Sequence, residues 1–142
     1  TPELGAMYEK LGFAGASTKF SPQRLPAPQG RAEVVSAVGY AGLRETLLGE
    51  AAHIRYDKPT LEYAGREDTF YLLDAPGGLG CAAVRRLPDG RLRADELLPD
   101  ARALPALAAA LGEVEIWLPE AGFYTRWLDG TRGAVYAAFA LD

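Results

Sequence analysis

Apolar positions along the 142-residue chain change period repeatedly, and each change marks an element. Leu4, Met7, Tyr8 and Leu11 fall at i, i+3, i+4 and i+7, one face of a helix. Pro2 and Glu3 suit its first turn, Lys10 its last, and Gly12 stops it. A short amphipathic helix is predicted over 2–11. Residues 14–20 have the makings of a strand, weakened by Gly15. Residues 21–30 contain Pro22, Pro26 and Pro28 and no apolar periodicity, which predicts an extended, semi-rigid linker and a domain boundary.

Beyond the linker, residues 32–38 are apolar and β-branched, a strand pattern. Leu43, Leu47 and Leu48 give residues 40–50 a helical stripe, and residues 58–66 predict a second helix. Strands are predicted at 69–74, 79–87 and 91–98. Pro76-Gly77-Gly78 and Pro88-Asp89-Gly90 form the turns between them. Cys81 is expected to face inward. A helix over 103–111 ends at Gly112, and Val114, Ile116 and Leu118 alternate with Glu113, Glu115 and Trp117 as a strand. A helix at 123–128 and a strand at 134–141 complete the order β-α-α-β-β-β-α-β-α-β. That order predicts an α/β (α+β) fold, a mixed β-sheet flanked by helices.

Composition narrows the class. Hydrophobic residues make up 49% and charged residues 24%, ordinary for a globular domain, and 142 residues suffice for a real core. The net charge is −4 with scattered basic residues, which leaves no electrostatic footprint for nucleic acid. No apolar run is long enough to span a bilayer, and no basic segment leads into an apolar one as in a secretion signal. A lone Cys81 cannot form an internal disulfide, which fits a reducing cytoplasm. The expectation is a cytoplasmic protein with no membrane partner. A first residue of Thr rather than Met agrees with a further domain preceding the chain.

The run Met7-Tyr8-Glu9-Lys10-Leu11-Gly12-Phe13 resembles the end of the last helix in the GNAT family of N-acetyltransferases. There a Tyr-x-Lys-x-Gly-Phe run closes the acetyl-CoA groove. The resemblance implies three parts. Residues 1–20 would be the tail of a preceding acetyltransferase domain, 21–30 the linker, and 31–142 a second, GNAT-like domain. It also implies that Tyr8 is the general acid that protonates the leaving CoA thiolate in the intact protein, a role suited to a phenol with a pKa near about 10. Tyr124 repeats the frame of Tyr8 in a second closing helix. The family binds the CoA pyrophosphate on backbone N–H groups at a glycine-rich strand-to-helix turn. Here Pro99 and Arg102 fit that frame, but Pro105 and Leu107 hold the glycine positions. Proline removes an N–H, and leucine adds bulk where the family has none. Acetyl-CoA is thus implied for the intact protein and no cofactor for residues 31–142. The implied partners are an amine-bearing small molecule or peptide, the preceding domain and, left open, a homo-oligomer. The alternative is a non-enzymatic module that binds a small ligand or partner through a degenerate cleft.

Other candidates have plainer explanations. Glu96 sits where some family members keep a carboxylate that deprotonates the amine through water, and it also reads as a strand-end surface charge. His53 lacks a second ligand nearby in sequence, so no metal is expected. Gly77-Gly78-Leu79-Gly80 lies between two strands and reads as a turn, not a phosphate loop. Tyr56, Tyr63, Phe70, Tyr71 and Trp117 could line a pocket, though core packing explains them equally well.

Overall fold

A computed structural model describes residues 20–49 and 56–119. They form β1 (Phe20–Arg24), β2 (Arg31–Val35), α1 (Ala37–Leu48), α2 (Lys58–Glu67), β3 (Thr69–Ala75), β4 (Gly78–Arg86), β5 (Leu92–Leu98), α3 (Leu104–Leu111) and β6 (Glu115–Pro119). The six strands make one sheet in the order β1-β6-β5-β4-β3-β2. Every neighbouring pair is antiparallel except β5 and β6. That exception follows from the chain: a parallel return needs a crossover, and α3 supplies it.

Local signals set the boundaries. The Ser36 hydroxyl accepts from the Gly39 N–H at 3.1 Å and starts α1. The Asp57 carboxylate accepts from the Thr60 N–H at 2.9 Å and starts α2. Gly112, at φ 84°, ends α3 in a conformation that side chains resist. The β3–β4 and β4–β5 turns fall on the two proline–glycine motifs, with Gly90 at φ 89° in the second.

Helices cover both faces. On one face, α3 packs Ala106 and Leu107 against Leu73, Ala82, Leu97, Ile116 and Leu118. On the other, α1 and α2 bring Tyr40, Leu48 and Ala64 against Phe70, Cys81, Ala83 and Leu98. Cys81 is buried and free of disulfide, facing inward as expected. No helix among the described residues is long and apolar enough to cross a membrane.

The eight elements expected between 32 and 118 occur in the expected order, making a mixed α/β fold. Two details differ. The buried positions of α1 are Tyr40, Arg44 and Leu48, so of the expected stripe of Leu43, Leu47 and Leu48 only Leu48 is buried and the other two are half-buried. The start of the expected linker is also built into the sheet. Phe20–Arg24 pair with β6, and Leu25 is 2% exposed. Pro22 is tolerated there because β1 is a terminal strand among the described residues, where a missing N–H breaks no ladder. The expected helix over 2–11, the helix at 123–128 and the strand at 134–141 lie outside the described residues.

Gly80 shows how tightly the sheet meets the turn after β5. A Cβ at this position would stand 2.5 Å from the Leu98 carbonyl oxygen and 3.0 Å from the Ala103 Cβ. Gly80→Ala is expected to destabilise the fold by about 1–3 kcal/mol. The urea midpoint should fall with an unchanged slope.

Candidate functional site

The chemistry on the sheet begins with a bulge. Cys81, Ala82 and Ala83 oppose Leu98, Leu97 and Glu96, but Val84 opposes Ala94, so Asp95 is an extra residue in β5. A bulge turns consecutive side chains out of strict alternation. Ala94 and Leu97 consequently face the α3 core, while Asp95 and Glu96 both meet groups on the side of α1 and α2.

Glu96 is 5% exposed and lies in a buried polar network. Arg44 Nε donates to both of its carboxylate oxygens, at 2.9 and 3.1 Å. The Tyr40 hydroxyl donates to Oε1 at 2.5 Å. Tyr40 stacks on Phe70 with ring centroids 4.5 Å apart, and the Arg44 guanidinium lies 4.5 Å from the Tyr56 ring centre. Burial first, and then the Glu96 charge, push the Tyr40 phenol well above its usual pKa, so it stays a donor. Burial and the same charge raise Tyr56 and the Cys81 thiol. Cys81 therefore has neither the exposure nor the electropositive setting of a nucleophile. Glu96 is neither an accessible base nor a surface charge; it fastens α1 to the bulge.

Next to this network runs a more accessible charged strip. Arg85 Nε lies 2.9 Å from Asp68 Oδ1 and 3.2 Å from Asp95 Oδ2. Arg93 Nε lies 2.5 Å from Asp95 Oδ1 and its guanidinium 5.3 Å from the Phe20 ring centre. Farther along, the Arg91 guanidinium is 5.1 Å from the Trp117 ring. Burial raises the Asp68 carboxyl to about 6, with Arg85 opposing and the neighbouring Asp95 carboxylate adding to the rise.

The turn after β5 carries the residues that the resemblance singled out. The Asp100 carboxylate accepts from the Arg102 N–H at 2.9 Å and pairs with Arg102 Nε at 2.9 Å. Arg102 is exposed. Pro105 sits in the first turn of α3, and its carbonyl accepts from the Gln29 N–H at 3.0 Å. Leu107 is fully buried beneath α3, so its side chain belongs to the core rather than to the mouth of the turn. A cavity of about 20 Å³ lies between this turn and the β3–β4 turn, lined by Gly77, Gly78, Pro99, Arg102 and Ala103 among others. It has room for about one water.

Of the other candidates, Tyr8, Tyr124 and His53 lie outside the described residues. Gly77 and Gly78 form the β3–β4 hairpin. Tyr56 and Phe70 serve the buried network, Tyr71 packs on the opposite face, and Tyr63 is 55% exposed, so these aromatics share no pocket. Among the described residues, no three His, Cys, Asp or Glu side chains group as metal ligands. Tyr40 and Arg44 were not expected as partners of Glu96. Their i, i+4 spacing on one face of the helix was the available signal. No protein-family model, curated protein or solved structure matches the chain.

Two outcomes follow from this geometry. Arg44→Met leaves a buried Glu96 without its main partner and should cost about 3–5 kcal/mol, much of it recovered by adding Glu96→Leu. Denaturant unfolding of both variants measures this. The Asp68 carboxyl titrates above its unfolded value of about 4, so its stabilising contribution is full below that pH and is lost as pH rises through about 6. The stability of the wild-type protein relative to Asp68→Asn should therefore fall from pH 4 to pH 7; a flat or rising difference would contradict the assignment.

Proposed function

We propose that the chain is the C-terminal GNAT-like module of an acetyl-CoA-dependent N-acetyltransferase, one that shapes substrate binding or assembly without transferring the acetyl group itself. The observation that carries this reading is the closed turn between β5 and α3. Pro105 offers no N–H there, Asp100 occupies the Arg102 N–H and brings a negative charge, and the adjacent cavity is about 20 Å³. A pyrophosphate needs open N–H donors at such a turn. The element order and the parallel β5–β6 pair joined through α3 support a GNAT-like architecture. In the intact protein a base would take the amine proton, the amine would attack the acetyl thioester, and Tyr8 would protonate the departing thiolate. The partners would be an amine-bearing small molecule or peptide and the preceding acetyltransferase domain.

A second reading is a non-enzymatic module for a small ligand or partner, and the charged strip favours it. Asp68 and Asp95 are carboxylates that suit a cationic ligand, although each already has an arginine at hand.

Two measurements test the first reading. Calorimetry should find no acetyl-CoA binding to the 142-residue chain; saturable binding would overturn the closed-turn argument. The intact protein should release CoA thiol from acetyl-CoA in the presence of acceptor amines, and Tyr8→Phe should slow that release about 10²-fold or more. An intact protein with no acyl transfer to any amine would refute the reading.

A further inference from the structure

The two edges of the sheet are built differently. Among the described residues, β1 and β2 are the terminal strands. An open strand edge offers unpaired N–H and C=O groups to any other strand. β1 carries Pro22, which removes a donor and blunts that edge. β2 has no proline, and its Arg31, Glu33 and Val34 are exposed. Val34 is 64% exposed, and Val38, just past the strand, is 73% exposed.

We propose that the chain self-associates through this edge. Two copies of β2 pair antiparallel about a two-fold axis normal to the sheet, joining two six-stranded sheets into one. The proposal does not rest on the acetyltransferase reading. Charge complementarity selects the partner and the register. Such an axis preserves the faces of the sheet, so a residue can oppose only a residue of its own face in the copy. Arg31, Glu33 and Val35 share the face of Phe70, and Ala32 and Val34 share that of Leu73. With Glu33 on the axis, it would face its own copy, and like charges directly opposite destabilise a pair. With Val34 on the axis, Glu33 would oppose Val35 and Arg31 would leave the ladder. With Ala32 on the axis, Arg31 opposes the copy's Glu33 twice.

That last register also extends an existing pair. Arg31 lies 3.4 Å from Asp74 across the strand pair, so Asp74, Arg31 and the copy's Glu33 would alternate in sign over three strands. The exposed Val34 would lie against the copy's Gly30, where no side chain competes for the space. Val38 continues toward the copy's exposed Pro26–Pro28 segment. On the Phe70 face α1 packs over β3 and β4, and on the Leu73 face α3 packs over β2 and β3, yet Val34 on that face remains 64% exposed.

Sedimentation equilibrium of the full chain, from micromolar to millimolar concentration, tests this directly. A monomer–dimer equilibrium is expected. Arg31→Glu or Glu33→Arg should each weaken it at least about tenfold, and the double exchange should restore it, because each single change opposes like charges twice. Circular dichroism checks that each variant is folded. As a readout of register, Ala32→Cys should form a disulfide-linked dimer under mild oxidation faster than Glu33→Cys or Val34→Cys, with Cys81 buried and not competing. A chain that stays monomeric throughout, a dimer indifferent to the single reversals, or fastest cross-linking at Glu33→Cys would overturn the proposal.

Discussion

The contact on which the rest of the architecture depends is the one between Arg44 and Glu96. It joins the middle of α1 to the bulge of β5 across a buried boundary. A buried ion pair adds little net stability relative to apolar residues of the same shape, but losing one partner is severe. The constraint is therefore one of geometry. α1 must present Arg44 inward, β5 must bulge so that Glu96 faces α1, and Tyr40 must stand one turn before Arg44 to donate to the same Oε1. Any other rotation of α1 or register of β5 would strand a charge in the core.

The same bulge organises the neighbouring chemistry. By turning Asp95 to the side of Glu96, it draws Arg85 and Arg93 toward the sheet and sets Asp95 near Asp68. The strip is partly exposed, whereas the Glu96 network is sealed. Two carboxylates adjacent in sequence thus have separate roles, because one lies under α1 and the other at the rim. At the far end of β5 the chain closes over itself, with Gly80 fitting beneath Leu98 and Ala103 and Asp100 turned onto its own backbone neighbour. The Arg102 N–H at the turn leading into the crossover helix is thereby already taken by a carboxylate.

Much of this was legible in the chain, for physical reasons. Strands β3, β4 and β5 are separated by glycine–proline turns that only a few backbone shapes satisfy, so their existence could be read directly. The ends of α1 and α2 lie close to where the glycine stop and the proline start imply. The buried side of α1 could not be read from hydrophobicity, because an arginine occupies its centre. Helical periodicity weighs Arg44 as a surface residue, and only the Glu96 carboxylate, 2.9 Å away in space though distant in sequence, makes its burial tolerable. Leu107 misled in a similar way. Counted along a motif it falls at the mouth of a turn, but the onset of α3 rotates it into the core.

By itself, the sequence determined the alternation of elements, the turns, and the absence of an N–H at Pro105, all of which depend on local covalent geometry and short-range periodicity. Tertiary structure alone decided that residues 21–24 continue a strand rather than a spacer, that β5 bulges at Asp95, and that Glu96 is sealed under α1. Each of these depends on a partner distant in sequence: β6 for the first, β4 for the second and Arg44 for the third. Backbone hydrogen bonds and buried charges are satisfied by whatever the fold brings near, and local pattern does not record that neighbour.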